Sequence, residues 1–291
     1  MSQVCTPEQG RIYTRWLATH HYENFHVASF LLPKRLHQDF YNVYSYCRWA
    51  DDLGDEIGDT GESLRLLAWW RAELDAMYAG RATHPVFAAL ALTVQQYRIP
   101  REPFSDLLDA FVQDQTVTRY RGWEDLFAYC RNSANPVGRL VLYLCGYADA
   151  ERQRLSDATC TALQLANFWQ DVRVDLEKDR VYIPLDLMEQ RGYTFEELRA
   201  LRFTSAFRDA MREAVDVARG LFLKGLPLSG MVDRRLAIDL DLFSRGGLLV
   251  LDKIEAQDYD VLRARPTVGK MERAGLLLKS MARAAFSPRA A

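Results

Sequence analysis

The chain has 291 residues and a formal net charge of −2, which allows a large core and gives no overall field that would attract nucleic acid. Its five cysteines are scattered and lack C-x-x-C spacing, which argues against a zinc site or a disulfide framework and favours a reducing compartment. Because no apolar run approaches the roughly 20 residues of a membrane span, we expect a cytoplasmic protein with at most loose membrane association.

Apolar residues recur at three- and four-residue steps along nearly the whole chain, which is the spacing of a helix with one buried face. This spacing predicts helices at roughly 36–50, 62–78, 86–97, 103–116, 124–131, 137–147, 155–176, 205–225, 232–252 and 268–285. Breaks rich in Pro and Gly separate these segments, and no stretch shows the period of two that is typical of strands. We therefore predict one all-α domain over residues 1–291.

The first of these helices ends in an acidic cluster, within the string CRWADDLGDE at 47–56. Asp51 and Asp55 are four residues apart, so they lie one turn apart on the same helix face. A solvated helix end explains this cluster if it is considered alone. A bound cation explains it as well, because Mg²⁺ prefers the hard oxygen ligands that paired carboxylates supply.

A second polar row lies in the string QLANFWQDVRVDLEKDRVYIP at 164–184. Asn167, Asp171 and Asp175 follow one another at four-residue steps and share a helix face about 12 Å long. Apolar residues surround this row, where a carboxylate is costly unless a cation compensates it. The two rows together predict a site for two or three Mg²⁺ ions and a diphosphate. The predicted metal ligands are Asp51, Asp55, Asn167, Asp171 and Asp175.

These strings resemble the motifs of the squalene/phytoene synthase family, the head-to-head prenyl diphosphate synthases. Residues 51–55 are similar to its first aspartate-rich motif, and QLANFWQDVRVD is similar to the second. The strings HYENFHVASFLLP at 21–33, YCRNSANPVGRLV at 129–141 and DKIEAQDYDVLRARP at 252–266 are similar to other family segments. The resemblance covers nearly the whole chain and implies an isoprenoid-synthase-type helical bundle around a central cavity.

The resemblance also implies the reaction, which is the Mg²⁺-dependent loss of diphosphate from a prenyl diphosphate. Several short strings are similar to the bacterial hydroxysqualene synthase branch of the hopanoid pathway, in which presqualene diphosphate is ionised and water captures the cation. On this branch we expect no NADPH. Presqualene diphosphate synthase, which joins two farnesyl diphosphates, and squalene and phytoene synthases are alternatives. A non-catalytic homologue that acts as a binding or assembly factor is another.

The resemblance assigns the substrate diphosphate to five further residues, and each has a competing explanation or a weaker match. These residues are Asn24, Arg48, Arg180, Tyr182 and Tyr259. The alternative role for Arg48 is a salt bridge to the neighbouring acids, and the alternative role for Asn24 is a helix cap. Arg180 and Tyr182 either close over the diphosphate or anchor a helix end. The match of Tyr259 to a C-terminal family tyrosine rests on a weaker alignment.

The same resemblance gives Tyr129 a catalytic role, in which its hydroxyl and ring face steer the cation or the proton transfers. A packed core tyrosine is the alternative. With the aspartates of both rows, the predicted catalytic set is Asp51, Asp55, Asp171, Asp175 and Tyr129.

The C-terminal segment is basic, with seven Lys and Arg in the last 31 residues against the single acid Glu272. The string AGLLLKSMARAAF predicts a short amphipathic helix that suits peripheral contact with anionic lipid. A solvated terminal helix, with its cations near its C-terminal dipole, is the alternative. The sequence leaves the oligomeric state open.

Overall fold

The computed structural model describes residues 5–20 and 33–286, and this part of the chain is helical almost throughout. The helices are α1 (Pro7–His20), α2 (His37–Asp55), α3 (Thr60–Tyr78), α4 (Pro85–Tyr97), α5 (Glu102–Asp114), α6 (Trp123–Ser133), α7 (Asn135–Leu144), α8 (Ala150–Glu177), α9 (Leu185–Arg191), α10 (Phe195–Arg199), α11 (Ser205–Gly225), α12 (Arg234–Ala256) and α13 (Lys270–Phe286). Within the described residues, β-type pairing is limited to one isolated parallel bridge between Arg119 and Val181. The all-α prediction is confirmed.

The chain divides into two compact units, and each unit is assembled from two segments. Unit 1 consists of Met1–Thr116 and Pro136–Gln153, and unit 2 consists of Val117–Asn135 and Arg154–Ala291. Neither unit is therefore a continuous stretch of sequence. The prediction of a single domain over residues 1–291 stays a prediction.

The core of unit 1 is aromatic, and it fixes the orientation of α2. Tyr46 is fully buried, packs edge-on against Phe87 and Phe104, and donates a hydrogen bond from its hydroxyl to the Phe104 carbonyl oxygen at 2.7 Å. Ala50 and Leu53 continue the buried face of α2. Because Asp51 and Asp55 follow at helical spacing on the other side, this packing turns the first acidic row away from the core.

Helix α1 packs on α2 and α4 through small and polar residues. A Cβ atom added to Gly10 would lie 2.4 Å from the Pro85 carbonyl oxygen, so only glycine allows this close approach. Next to this contact, the buried Thr14 hydroxyl donates to Asn42 Oδ1 at 2.7 Å, and Asn42 Nδ2 donates to the Thr93 hydroxyl at 2.9 Å. The hydrogen bonds satisfy polar groups that would otherwise be costly to bury.

The 28-residue helix α8 belongs to unit 2 from Arg154 onwards, and this part of it carries the second polar row. Leu165, Phe168, Trp169 and Val172 form its buried side, which leaves the face of Asn167 directed away from that core. None of the helices in the described part of the chain has the length and apolarity needed to cross a membrane.

Candidate functional site

On α2, the guanidinium of Arg48 lies between two carboxylates. Its Nη1 is 3.3 Å from Asp51 Oδ2, and its Nη2 is 2.5 Å from Asp52 Oδ1. The buried Nε of Arg48 has no hydrogen-bond partner among the described residues. The salt bridge that the sequence offered as an explanation for Arg48 is therefore present, and one strong donor of the side chain is still unused.

The first acidic row is short of positive charge. Burial, and then the neighbouring Asp55 carboxylate, raise the pKa of Asp51, while Arg48 acts in the opposite direction. A raised pKa means that the ionised form of Asp51 is disfavoured where it stands. A further cation at this row would relieve that cost.

Arg48→Ala is expected to weaken the binding of inorganic diphosphate about tenfold to a hundredfold, because a hydrogen bond to a charged group contributes about 1.5–3 kcal/mol. Titration calorimetry with diphosphate and Mg²⁺ measures this change. Arg65→Ala is the matched control, since Arg65 also pairs with a carboxylate one helical turn away, Glu62, at 2.5 Å in unit 1. Unchanged diphosphate affinity in Arg48→Ala would show that Arg48 serves only the local salt bridge.

The second row is held together by hydrogen bonds and by one arginine from a distant part of the chain. Asn167 Nδ2 donates to Asp171 Oδ2 at 2.6 Å. The guanidinium of Arg265 binds the same carboxylate as a bidentate fork. Its Nη2 donates to Oδ2 at 3.1 Å, and its Nε donates to Oδ1. Asp171, through this hydrogen bond and its charge, raises the pKa of Arg265. Arg265 thus acts as the counter-ion of Asp171.

Asp175, the last member of the row, is half-buried and strongly perturbed. Burial, and then repulsion from Asp171, raise the pKa of Asp175 to about 7, although Arg180 and other cations act against this rise. The chain after α8 folds back so that the Arg180 N–H donates to the Asp175 carbonyl oxygen at 2.9 Å. This turn places Arg180 directly after the acidic row, and its role at a diphosphate stays a prediction.

The donors of the two rows fit Mg²⁺ in kind, because all of them are carboxylate or amide oxygens. In the described part of the chain, no three His, Cys, Asp or Glu side chains converge in a preformed metal cluster. Mg²⁺ typically binds through one or two carboxylates and completes its shell with water and phosphate, so a pair of stacked carboxylates is sufficient. Arg48 and Arg265 now compensate the rows, and a metal ion would compete with both.

An aromatic cluster lies beside the end of the second row. The rings of Phe168 and Tyr182 are stacked, with their centroids 3.6 Å apart and 3° between their planes. Tyr129 is buried, and the centroid of its ring lies 6.1 Å from that of Tyr182. Tyr182, Asp175 and Arg180 also line a cavity of about 10 Å³, close to the minimum volume that holds one water molecule. Tyr129 thus occupies a core position, which is one of the two interpretations of this residue. Its ring also lies next to Tyr182, at the end of the second row.

Two residues of the predicted diphosphate set have no described contact with either acidic row. Tyr259 follows the end of α12 with a left-handed backbone, at φ 63°, and the guanidinium of Arg212 lies 5.6 Å above its ring. Its role at a diphosphate stays a prediction. Asn24 lies outside the described residues.

Arg265 is the site residue that sequence reasoning misses, because it reads as one cation of a basic C-terminal segment. Gln170 Nε2 donates to the Pro266 carbonyl oxygen at 2.5 Å and so ties the Arg265 segment to α8. Asp171 and Arg265 are 94 residues apart, and residue spacing does not predict a contact between such distant positions. The available signal was that both strings belong to segments that resemble family motifs.

Comparison with known proteins defines the class. The model of the squalene/phytoene synthase family matches residues 18–272, and the chain belongs to this family. It is therefore a prenyltransferase-type enzyme of isoprenoid biosynthesis, and its family performs head-to-head prenyl condensation. Enzymes of the family use a divalent metal to ionise the diphosphate.

Individual relatives refine the comparison. A phytoene synthase of Thermus thermophilus is 35% identical over 92% of this chain and 91% of its own length. The crystal structure of the squalene synthase HpnC from Alicyclobacillus acidocaldarius is 45% identical, with a TM-score of 0.83 over 87% of this chain and 95% of that one. A dehydrosqualene synthase in complex with a ligand has the same TM-score at 22% identity, over 95% and 96% of the two chains, and so supports the fold alone.

Proposed function

We propose that the protein is a hydroxysqualene synthase, which removes diphosphate from presqualene diphosphate and lets water capture the rearranged cation. The observation that carries the proposal is the 45% identity to a squalene synthase, which exceeds the 35% identity to a phytoene synthase. The branch-like strings of the sequence support the water-terminated version of the reaction. NADPH has no part in this proposal.

The two acidic rows are the proposed metal-binding part of the site. We assign the binding of Mg²⁺ to Asp51, Asp55, Asn167, Asp171 and Asp175. When bound, Mg²⁺ neutralises the charge that develops on the leaving diphosphate. The raised pKa values of Asp51 and Asp175 support this assignment, because each row carries more negative charge than its arginine compensates.

The diphosphate itself is assigned to side chains with strong donors. Arg48 has an unused Nε and a planar guanidinium that matches phosphate oxygens. Arg180 lies beside Asp175 and adds its positive charge to the second row. The remaining members of the proposed diphosphate set are Asn24, Tyr182 and Tyr259.

The cation left behind needs a surface that stabilises it without reacting with it. We assign this surface to the aromatic cluster of Phe168, Tyr182 and Tyr129, because π electrons stabilise a nearby cation. We assign to Tyr129 the steering of the cation, since its ring is fixed by burial and packs against the Tyr182 ring.

Water capture requires a polar group that holds the water before the cation forms. Asn167 and Gln170 on α8 are the candidates. Gln170 Nε2 donates to the Pro266 carbonyl oxygen, and Asn167 Nδ2 donates to Asp171 Oδ2, but only Asn167 is exposed. We favour the exposed Asn167 as the group that positions water, and we assign to Gln170 the task of holding the Arg265 segment.

Incubation with presqualene diphosphate and Mg²⁺ in ¹⁸O-labelled water is expected to give an alcohol that carries the label, as detected by mass spectrometry. The label arises because solvent supplies the terminating oxygen in this reaction. The same incubation in unlabelled water, with and without NADPH, is the control. Squalene that forms only with NADPH, and no labelled alcohol, would reject the proposal and assign the chain to reductive squalene synthesis.

Phytoene synthesis is the second candidate, and the 35% identity to the Thermus enzyme over 92% of the chain favours it. Geranylgeranyl diphosphate and presqualene diphosphate, offered separately, distinguish the two. A C40 hydrocarbon from the former would support phytoene synthesis. Failure to release diphosphate from presqualene, farnesyl or geranylgeranyl diphosphate would instead indicate a binding or assembly factor.

A further inference from the structure

Helix α13 presents a row of large apolar side chains to solvent. Met271, Leu278 and Met281 are 86%, 68% and 44% exposed, and their spacing of seven and three residues places them on one helix face. Isolated exposed apolar residues need no explanation, but three on one face of one helix form a patch.

The opposite face of α13 is firmly attached to α12. Ser280 is fully buried, and its hydroxyl donates to Asp241 Oδ2 at 2.7 Å. Glu272 pairs with Lys253 of α12 at 2.8 Å. The apolar patch is therefore presented by an anchored helix, and its exposure does not result from a frayed terminus.

The charges around the patch have one sign. Lys270 and Lys279 of α13 have no carboxylate partner among the described residues, and Glu272, the acid of this helix, is paired with Lys253. Lys270 and Lys279 lie on the two sides of the apolar row at helical spacing. Their long side chains can extend past the apolar row to a charged surface while their methylene groups stay near it.

We propose that this face of α13 docks on a lipid surface with anionic headgroups, with its axis in the plane of the interface. An apolar strip flanked by unpaired cations is the pattern that binds such surfaces. A second copy of the chain is disfavoured as the occupant, because symmetric pairing would bring like charges together. The inference is independent of the proposed reaction, since vesicle binding is measured without substrate.

Flotation of the full chain with vesicles tests the proposal. Vesicles of phosphatidylcholine with about 30% phosphatidylglycerol are expected to bind the protein at least about tenfold more tightly than pure phosphatidylcholine vesicles. Added salt should weaken this binding, because it screens the cations. Equal binding to both vesicle types, or no binding to either, would overturn the proposal.

Variants then locate the contact. A variant with both Met271→Glu and Leu278→Glu is expected to lose vesicle binding at least about tenfold, because charge replaces the apolar strip. Leu223→Glu is the matched control, since Leu223 is 57% exposed on α11 in the same unit, and it should bind as the parent does. Lys270→Gln with Lys279→Gln should weaken binding to anionic vesicles about tenfold while the apolar strip is intact.

Melting temperatures of these variants should match the parent, because all the changed side chains are exposed. Vesicle binding of the Met271→Glu, Leu278→Glu variant at parent strength would overturn the assignment of the face. Light scattering without lipid gives an independent check. A dimer that forms in the parent and disappears in this variant would assign the face to a second copy of the chain and overturn the lipid proposal.

Discussion

Asp171→Asn is expected to lower kcat about a thousandfold at saturating Mg²⁺, a loss of roughly 4 kcal/mol in transition-state stabilisation. The amide is a weaker metal ligand and carries no charge, so the developing charge of the leaving diphosphate is poorly compensated. The fold should survive, because the substitution removes the repulsion that Asp171 exerts on Asp175, and because the Arg265 side chain that loses its counter-ion is half exposed to water. Asp51→Asn should behave in the same way on the first row, since Asp51 is repelled by Asp55.

Release of diphosphate from a prenyl substrate, followed by a coupled assay, measures the effect, and circular dichroism checks the fold. Asp252→Asn is the matched control, because Asp252 also forms an ion pair with an arginine, Arg219, at 2.6 Å in unit 2, but lies outside the acidic row. It should retain parent activity. Turnover close to that of the parent in Asp171→Asn or Asp51→Asn would contradict the metal assignment.

The helices that sequence reasoning predicts well are those whose buried face is apolar. The prediction of a helix at 205–225 coincides with α11, and the prediction at 155–176 falls within α8. Helix α1 was not predicted, because its buried face consists of Gly10, Thr14, Leu17 and Ala18, which shows little apolar periodicity. Close backbone approach and a hydrogen-bonded threonine hold α1 in place, and neither produces a hydrophobic pattern.

The candidate site divides in a similar way. Spacing along one helix predicts local neighbours, and Asn167 does contact Asp171. The fork between Arg265 and Asp171 depends on how distant segments pack, which spacing does not encode. Arg48 illustrates a third situation, because the sequence left a salt bridge and a ligand role open, and the observed pairing with Asp51 satisfies the first without testing the second.

Asp239→Asn is expected to stabilise the protein above neutral pH. Asp239 on α12 is 2% exposed, and neither of its carboxyl oxygens has a hydrogen-bond partner in the described part of the chain. Burial, and then repulsion from Asp233, raise the pKa of Asp239 from 3.8 to about 7. Between these two values the folded chain keeps a proton that the unfolded chain loses, so this residue makes stability fall as pH rises.

Denaturant unfolding of the parent and of Asp239→Asn, at several pH values, measures the effect. An amide does not titrate, so the variant lacks this loss of stability. Its advantage in the free energy of unfolding should grow by about 2–3 kcal/mol from pH 5 to pH 8, because each pKa unit corresponds to about 1.4 kcal/mol. Asp252→Asn, on the same helix but exposed, should show no such growth. If the difference between Asp239→Asn and the parent is constant across this range, Asp239 does not carry a raised pKa in the folded protein.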